Sequence, residues 1–139
     1  MPKFRIFLDT SYVIALVNER DQYHAQAQVL SEQYEMADFL VTEAIFLEIG
    51  NALCRGLKQE AISVIQYFWD AAEVEIITLT PELLLEGFAL YQKYQDKEWS
   101  LVDCISFVVM RQQGVQNVLT FDHHFEQAGF QQLKVGEGE

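Results

Sequence analysis

The chain has 139 residues, half of them apolar by count and 13% aromatic. That is enough for one compact domain with one core, and too short for two domains of ordinary size. The formal net charge is −12, which repels a phosphate backbone at long range and argues against a simple nucleic-acid-binding module. No run approaches the ~18 consecutive apolar residues of a membrane span, and no secretion signal is recognisable at the N-terminus. We therefore expect a cytoplasmic protein that does not interact with membranes.

In the first half of the chain, short apolar runs typical of strands alternate with segments in which apolar residues repeat at helical spacing. The predicted elements, in chain order, are a strand over 4–8, helices over 12–18 and 21–33, a strand over 39–41, and helices over 42–55 and 58–72. Four apolar residues at helical spacing are expected on the buried side of the last of these helices: Ile62, Ile65, Phe68 and Trp69. Cys54 and Cys104 lie within helical apolar patterns, so both are predicted to be buried, reduced thiols.

The second half continues the alternation, with clear helix starts at Thr80-Pro81 and at Ser100. The predicted elements are a strand over 75–79, helices over 81–94 and 100–113, a strand over 118–120 and an edge strand over 132–135. We expect one α/β domain over residues 1–135, with a mainly parallel sheet of four or five strands flanked by helices. Residues 136–139 are expected to be disordered.

Four acidic residues stand out by their positions on these elements. Asp9 directly follows the first strand and Asp122 follows the strand over 118–120, so both are expected at the carboxyl edge of the sheet, where open α/β sheets bind ligands. Asp103 lies in the first turn of the Ser100 helix, and Glu48 borders the apolar face of its helix. Such a group of carboxylates would repel one another unless protons or cations intervened, and hard divalent cations with oxygen ligands are the natural solution.

Each acid taken singly also has a structural explanation. Asp9 can cap a helix, Asp103 can form a capping box with Ser100, and Asp122 can shape a turn. Glu48 can face solvent or pair with Arg55, one further turn along its helix. The functional interpretation therefore depends on the combination of the four and not on any one of them.

The four motifs in this order resemble the PIN domain family, specifically its VapC-type toxin ribonucleases. The resemblance covers nearly the whole chain and rests on FLDTS with Asp9, LEIGNAL with Glu48 and Asn51, WSLVDCISF with Asp103, and LTFDHHFEQAGF with Asp122. It implies a metal-dependent endoribonuclease that hydrolyses RNA phosphodiesters as the toxin of a toxin–antitoxin pair. Its catalytic and metal-binding residues would be the acidic quartet Asp9, Glu48, Asp103 and Asp122.

The resemblance also implies cofactors, supporting residues and partners. Mg²⁺ or Mn²⁺ would bind the quartet as two ions, one activating water and the other stabilising the leaving 3′ oxygen. Thr10 or Ser11 would support the site near Asp9, and Asn51 would make a secondary polar contact. The implied partners are an RNA substrate, a cognate antitoxin that inserts a peptide across the groove, and a second copy of the chain in a homodimer.

The chain departs from the family after the fourth acid, where an arginine or lysine is common and His123 and His124 stand instead. We interpret both as loop histidines without a role, although either could donate a hydrogen bond to a phosphate. Two other functions stay open. A non-catalytic PIN-fold interaction protein is the main alternative. A phosphatase with Asp9 as nucleophile is weaker, because Ser11 occupies the position where such enzymes usually carry a second acid.

Overall fold

The computed structural model describes residues 4–136, which form five strands and seven helices. The strands are β1 (Arg5–Leu8), β2 (Asp38–Thr42), β3 (Val74–Ile77), β4 (Asn117–Leu119) and β5 (Gln131–Gln132). The helices are α1 (Thr10–Val17), α2 (His24–Gln33), α3 (Glu43–Ala52), α4 (Lys58–Asp70), α5 (Pro81–Lys93), α6 (Leu101–Gln113) and α7 (His124–Gln127).

All neighbouring strands pair in parallel, in the order β3-β2-β1-β4-β5. The predicted α/β fold with a parallel sheet is thus confirmed, with five strands. The chain adds β2 and β3 on one side of β1 and then places β4 and β5 on the other side. The connections that leave β1 and β4 therefore diverge, and such a switch point opens a crevice at the carboxyl edge of the sheet.

The sheet is buried because its central strands are apolar on both faces, as is typical of parallel sheets covered by helices. Ile6, Phe7 and Leu8 of β1 are all buried. On one side an aromatic cluster joins α6 and α7 to the sheet: the ring of Phe107 lies 5.0 Å from that of Phe125, which in turn lies 6.1 Å from that of Phe7. This packing fixes the start of α6 relative to the strand ends.

The structure differs from the predicted elements most at α2, at α7 and at the edge strand, which was predicted over 132–135 and lies at Gln131–Gln132. Helix α2 begins at His24 and not at 21, because Asp21 forms a turn in which its Oδ1 accepts the Tyr23 N–H at 2.8 Å. The short helix α7 was not predicted, since its four residues are too few to show an apolar period. Its one buried apolar residue, Phe125, is held by the aromatic cluster.

The predicted buried side of α4 is partly wrong. The helix buries Ala61, Val64 and Phe68, whereas Ile62 and Trp69 are exposed by 52% and 57%. The prediction of two buried cysteines is also half wrong. Both are free thiols, but only Cys104 is buried and Cys54 is exposed.

The C-terminal prediction falls mostly outside the described residues. Gly136 takes part in a turn with φ of +85°, and residues 137–139 lie beyond the part of the chain that the structure describes. Within residues 4–136, none of the helices has the length and apolarity needed to cross a membrane.

The close packing of α5 on α6 depends on Gly87. A Cβ at this position would lie 2.5 Å from Cγ1 of Ile105 and 3.3 Å from its backbone. We expect Gly87→Ala to lower the free energy of unfolding by about 1–3 kcal/mol, because overpacking outweighs the gain in helix propensity. The matched control is Gly50→Ala in α3, where no atom lies within 4 Å of the added Cβ and where we expect a gain of roughly 0.5–1 kcal/mol. Urea denaturation of both variants tests this, and equal stabilities would contradict it.

Candidate active site

The fold brings the four predicted acids to one open pocket, although they come from four different elements. Asp9 follows β1, Glu48 lies on α3, Asp103 lies in the first turn of α6, and Asp122 follows β4. The other side chains that line the pocket are Thr10, Ser11, Ile14, Glu98, Ser100 and His124. Within residues 4–136, no lysine or arginine lines this pocket, so its protein charge is strongly negative.

Asp9 is held by hydroxyl groups from both strand ends. Its Oδ2 accepts hydrogen bonds from Ser11 Oγ at 2.8 Å and from Thr120 Oγ1 at 2.7 Å, and its backbone N–H donates to Leu119 O at 3.1 Å. Asp9 occupies the N-cap position of α1, but its side chain makes no capping hydrogen bond. The structural explanation as a helix cap is therefore wrong for this side chain.

Asp103 does form the capping box that the sequence suggested. The Asp103 N–H donates to Ser100 Oγ, and the Ser100 N–H donates to Asp103 Oδ2, both at 3.0 Å. The two bonds satisfy donors at the helix start that otherwise lack partners. Because the capping box also fixes the rotamer of Asp103, the structural and functional interpretations are compatible at this residue.

Glu48 lies on the side of α3 that faces α1. Its Oε1 accepts a short hydrogen bond from Thr10 Oγ1, and no ion pair with Arg55 forms among the described residues. Thr10 thus contacts Glu48 and not Asp9, whereas Ser11 contacts Asp9. Asn51 is exposed and outside the pocket lining, so its supporting role stays a prediction without a contact in the structure.

Asp122 and His124 complete the pocket. Asp122 Oδ1 accepts the His124 N–H at 3.0 Å, which starts α7 and agrees with the predicted turn. The His124 ring is 16% exposed, and its Nδ1 lies 2.9 Å from Asp103 Oδ2. His124 is therefore not an unpartnered loop histidine, since it begins α7 and contacts an acid of the pocket. His123 differs, since its ring is 71% exposed and its Nδ1 lies 3.9 Å from Asp122 Oδ1.

The hydrogen bonds divide each carboxylate into a fixed and a free oxygen. Asp9 Oδ2, Glu48 Oε1, Asp103 Oδ2 and Asp122 Oδ1 are the oxygens that accept hydrogen bonds. The second oxygen of each accepts none from residues 4–136, and none of these second oxygens is among the buried unpartnered atoms of that range. Four immobilised carboxylates with a free, accessible oxygen each are a donor set that fits Mg²⁺ or Mn²⁺.

Burial and mutual repulsion raise the free energy of the ionised carboxylates in the pocket. The pKa of Asp9 is raised to about 6: burial is the largest cause, the hydrogen bonds from Thr120 and Ser11 oppose it, and the charges of Asp103 and Glu48 add to it. The pKa of Glu48 is also raised, first by burial and then by the charges of Asp103 and Asp122. A bound cation would remove this cost by pairing with the ionised carboxylates.

Two contributors to the site were missed from the sequence. Thr120 directly follows β4 and was predicted as an ordinary strand residue, yet its hydroxyl donates to Asp9 Oδ2 and accepts the Asp122 N–H at 3.0 Å. The signal that could have indicated His124 is its position two residues after Asp122. At this spacing an aspartate commonly accepts the backbone N–H of the later residue and starts a turn or helix.

Comparison with known proteins places the chain among nucleases. The model of the PIN domain family matches residues 6–131. The 23S rRNA-specific endonuclease VapC20 of Mycobacterium tuberculosis is 29% identical over 129 residues, which span 93% of this chain and 98% of that protein.

Solved structures share the fold. The crystal structure of Mycobacterium tuberculosis VapC20, a Sarcin-Ricin loop cleaving toxin, matches with a TM-score of 0.83 and 26% identity over 93% of this chain and 98% of that one. FitAcB from Neisseria gonorrhoeae matches with a TM-score of 0.63 and 15% identity over 93% and 96% of the two chains, which shows the fold alone. The family predicted from the four motifs is confirmed: the chain belongs to the PIN domain family, whose nucleases generally depend on divalent metal ions.

Proposed function

We propose that the chain is an endoribonuclease that hydrolyses RNA phosphodiesters with Mg²⁺ or Mn²⁺ bound by Asp9, Glu48, Asp103 and Asp122. The observation that carries this proposal is the geometry of the four carboxylates. Each is held by protein donors through one oxygen and keeps the other free, in a pocket whose described lining holds no lysine or arginine. The similarity to an endonuclease over nearly the whole chain supports the same activity.

The roles of the residues follow from their hydrogen bonds. Ser11 and Thr120 keep Asp9 at the switch point of the sheet, Thr10 orients Glu48, and the capping box orients Asp103. Fixing the ligands before the substrate arrives lowers the reorganisation needed during the reaction. A divalent cation at this place would supply charge neutralisation for the phosphodiester and an activated water.

The substrate we propose is ribosomal RNA. VapC20 is a 23S rRNA-specific endonuclease and a Sarcin-Ricin loop cleaving toxin, and this chain matches it over 93% of its own length. With a net charge of −12, the surface offers little general attraction for RNA. We therefore infer that recognition depends on metal-bridged phosphates and on the shape of a structured loop more than on a basic surface.

The test of this function is cleavage of a synthetic RNA that carries the sarcin–ricin loop. We expect a defined cut with Mn²⁺ or Mg²⁺, no cut with excess EDTA, and recovery when the metal is restored. The control RNA has the same composition with the loop sequence scrambled. Equal cleavage of the first RNA in EDTA would contradict the metal mechanism. Absence of both Mn²⁺ binding by calorimetry and cleavage would favour the non-catalytic interaction protein.

The partners we propose are a cognate antitoxin and a second copy of the chain, acting in the cytoplasm. Support for protein partners comes from exposed apolar side chains on α5, namely Leu84, Leu85, Phe88 and Tyr91, which are 41% to 67% exposed. The acidic surface favours a partner with a basic segment. Size-exclusion chromatography with light scattering measures whether the chain alone is dimeric.

A further inference from the structure

The imidazole of His124 lies between two acids of the pocket that belong to different elements. Its Nδ1 is 2.9 Å from Asp103 Oδ2 on α6 and 3.1 Å from Asp122 Oδ1 in the segment after β4. An ionised carboxylate oxygen can only accept a hydrogen bond, so Nδ1 must carry the hydrogen. The ring is 16% exposed, which shields this contact from competition by water.

The oxygens that His124 contacts are the ones already bound by the protein. Asp103 Oδ2 also accepts the Ser100 N–H, and Asp122 Oδ1 also accepts the His124 backbone N–H, both at 3.0 Å. The second oxygens of the two acids have no protein donor within residues 4–136. The ring therefore contacts the oxygens that the protein already holds. The second oxygen of each carboxylate stays available to a cation.

We propose that His124 is a positioning residue whose Nδ1–H holds Asp103 and Asp122 at the separation and rotation in which their free oxygens can share a metal site. The inference rests on the proposed function. The two carboxylates repel each other and approach from separately packed elements, and no other side-chain donor in residues 4–136 contacts both of them. Partners that orient metal ligands from behind typically contribute 10- to 100-fold to metal affinity or activity.

The test measures Mn²⁺ affinity by titration calorimetry, together with cleavage, for three variants at His124. His124→Ala removes the donor and is expected to weaken Mn²⁺ binding about 10- to 100-fold. His124→Asn places an amide N–H near the position of Nδ1 and is expected to keep most of the affinity. His124→Gln retains more bulk but places its amide near the position of Nε2, so it is expected to resemble the alanine variant. The neighbouring control His123→Ala is expected to match the wild type.

A second set of measurements separates positioning from general destabilisation. Val64→Ala removes buried side-chain volume from α4, which carries none of the four acids and not His124, so it is expected to lower the melting temperature without changing Mn²⁺ affinity. For His124→Ala we expect cleavage to recover in part at saturating Mn²⁺, because the loss is in metal binding. Pulsed EPR of the Mn²⁺-bound protein with ¹⁵N-labelled histidine is expected to show no nitrogen bound directly to the metal.

Distinct outcomes overturn the two proposals. If the wild type binds Mn²⁺ and cleaves RNA while His124→Ala binds Mn²⁺ equally well, the positioning role is wrong and the proposed function stands. The same holds if His124→Asn is as weak as His124→Ala, if Val64→Ala loses affinity to the same extent, or if EPR shows direct nitrogen ligation. If the wild type neither binds Mn²⁺ nor cleaves RNA, both proposals are wrong.

Discussion

Asp9→Asn is expected to reduce the rate of Mn²⁺-dependent RNA cleavage by at least about 100- to 1000-fold. Asp9 is the most deeply buried acid of the pocket, and its amide analogue offers a neutral oxygen in place of a charged ligand. A bound metal ion contributes several kcal/mol of transition-state stabilisation, and each 1.36 kcal/mol corresponds to a factor of ten in rate. The measurement is the single-turnover cleavage rate of the loop RNA at fixed Mn²⁺.

The matched control is Asp70→Asn at the exposed end of α4. Among residues 4–136, Asp70 accepts hydrogen bonds from Gln66 on its own helix and from no other residue, so this substitution removes the same charge without changing the pocket. We expect its cleavage rate to equal that of the wild type. Cleavage by Asp9→Asn within a few-fold of the wild-type rate would show that Asp9 is not a metal ligand.

Asp9→Asn is also expected to stabilise the metal-free protein at pH 8, by an amount on the order of 3 kcal/mol. The pKa of Asp9 is about 6 in the folded protein against 3.8 for an unperturbed aspartate, so the folded state binds more protons than the unfolded state between these values. The contribution of Asp9 to the free energy of unfolding is therefore complete below pH 4 and is lost as the pH rises through 6. Asparagine stays neutral and avoids this loss, while its side-chain oxygen can still accept the two hydroxyl hydrogen bonds.

The measurement is the difference in unfolding free energy between Asp9→Asn and the wild type, from urea denaturation in EDTA at pH 5, 6.5 and 8. Taking the difference cancels the titration of groups that the substitution does not affect. We expect the difference to grow between pH 5 and pH 7 and then to level off. Excess Mn²⁺ at pH 8 is expected to stabilise the wild type more than the variant, because ligand binding to the folded state raises its stability. A difference that does not change with pH would contradict the cost assigned to the ionised Asp9.

The end of β1 and the start of α6 were predictable because local chemistry sets them. The apolar run of β1 stops at Asp9, and Ser100 with Asp103 forms a capping box whose two members lie three residues apart. Such signals need only neighbours in the chain, and they placed three of the four acids at element ends. Positions on a helix surface were less predictable, since the buried side of α4 depends on which elements cover it.

The side chains that hold the acids could not be derived from local patterns. The bond between Thr120 and Asp9 joins residues 111 positions apart, and it exists because β4 pairs with β1 in register, Leu8 opposite Leu119. Thr10 reaches Glu48 because α1 packs on α3. No periodicity or spacing in the chain encodes either neighbour relation.

The sequence by itself predicted the class of fold, because apolar periodicity and element boundaries are local properties of the chain. Its four motifs indicated the family and singled out the four acids as candidates. Only the tertiary structure decided that β1 and β4 lie side by side, that one oxygen of each acid is held by the protein, and that His124 joins two of them. The physical reason is that these relations are fixed by strand order and core packing, which depend on contacts between residues far apart in the sequence.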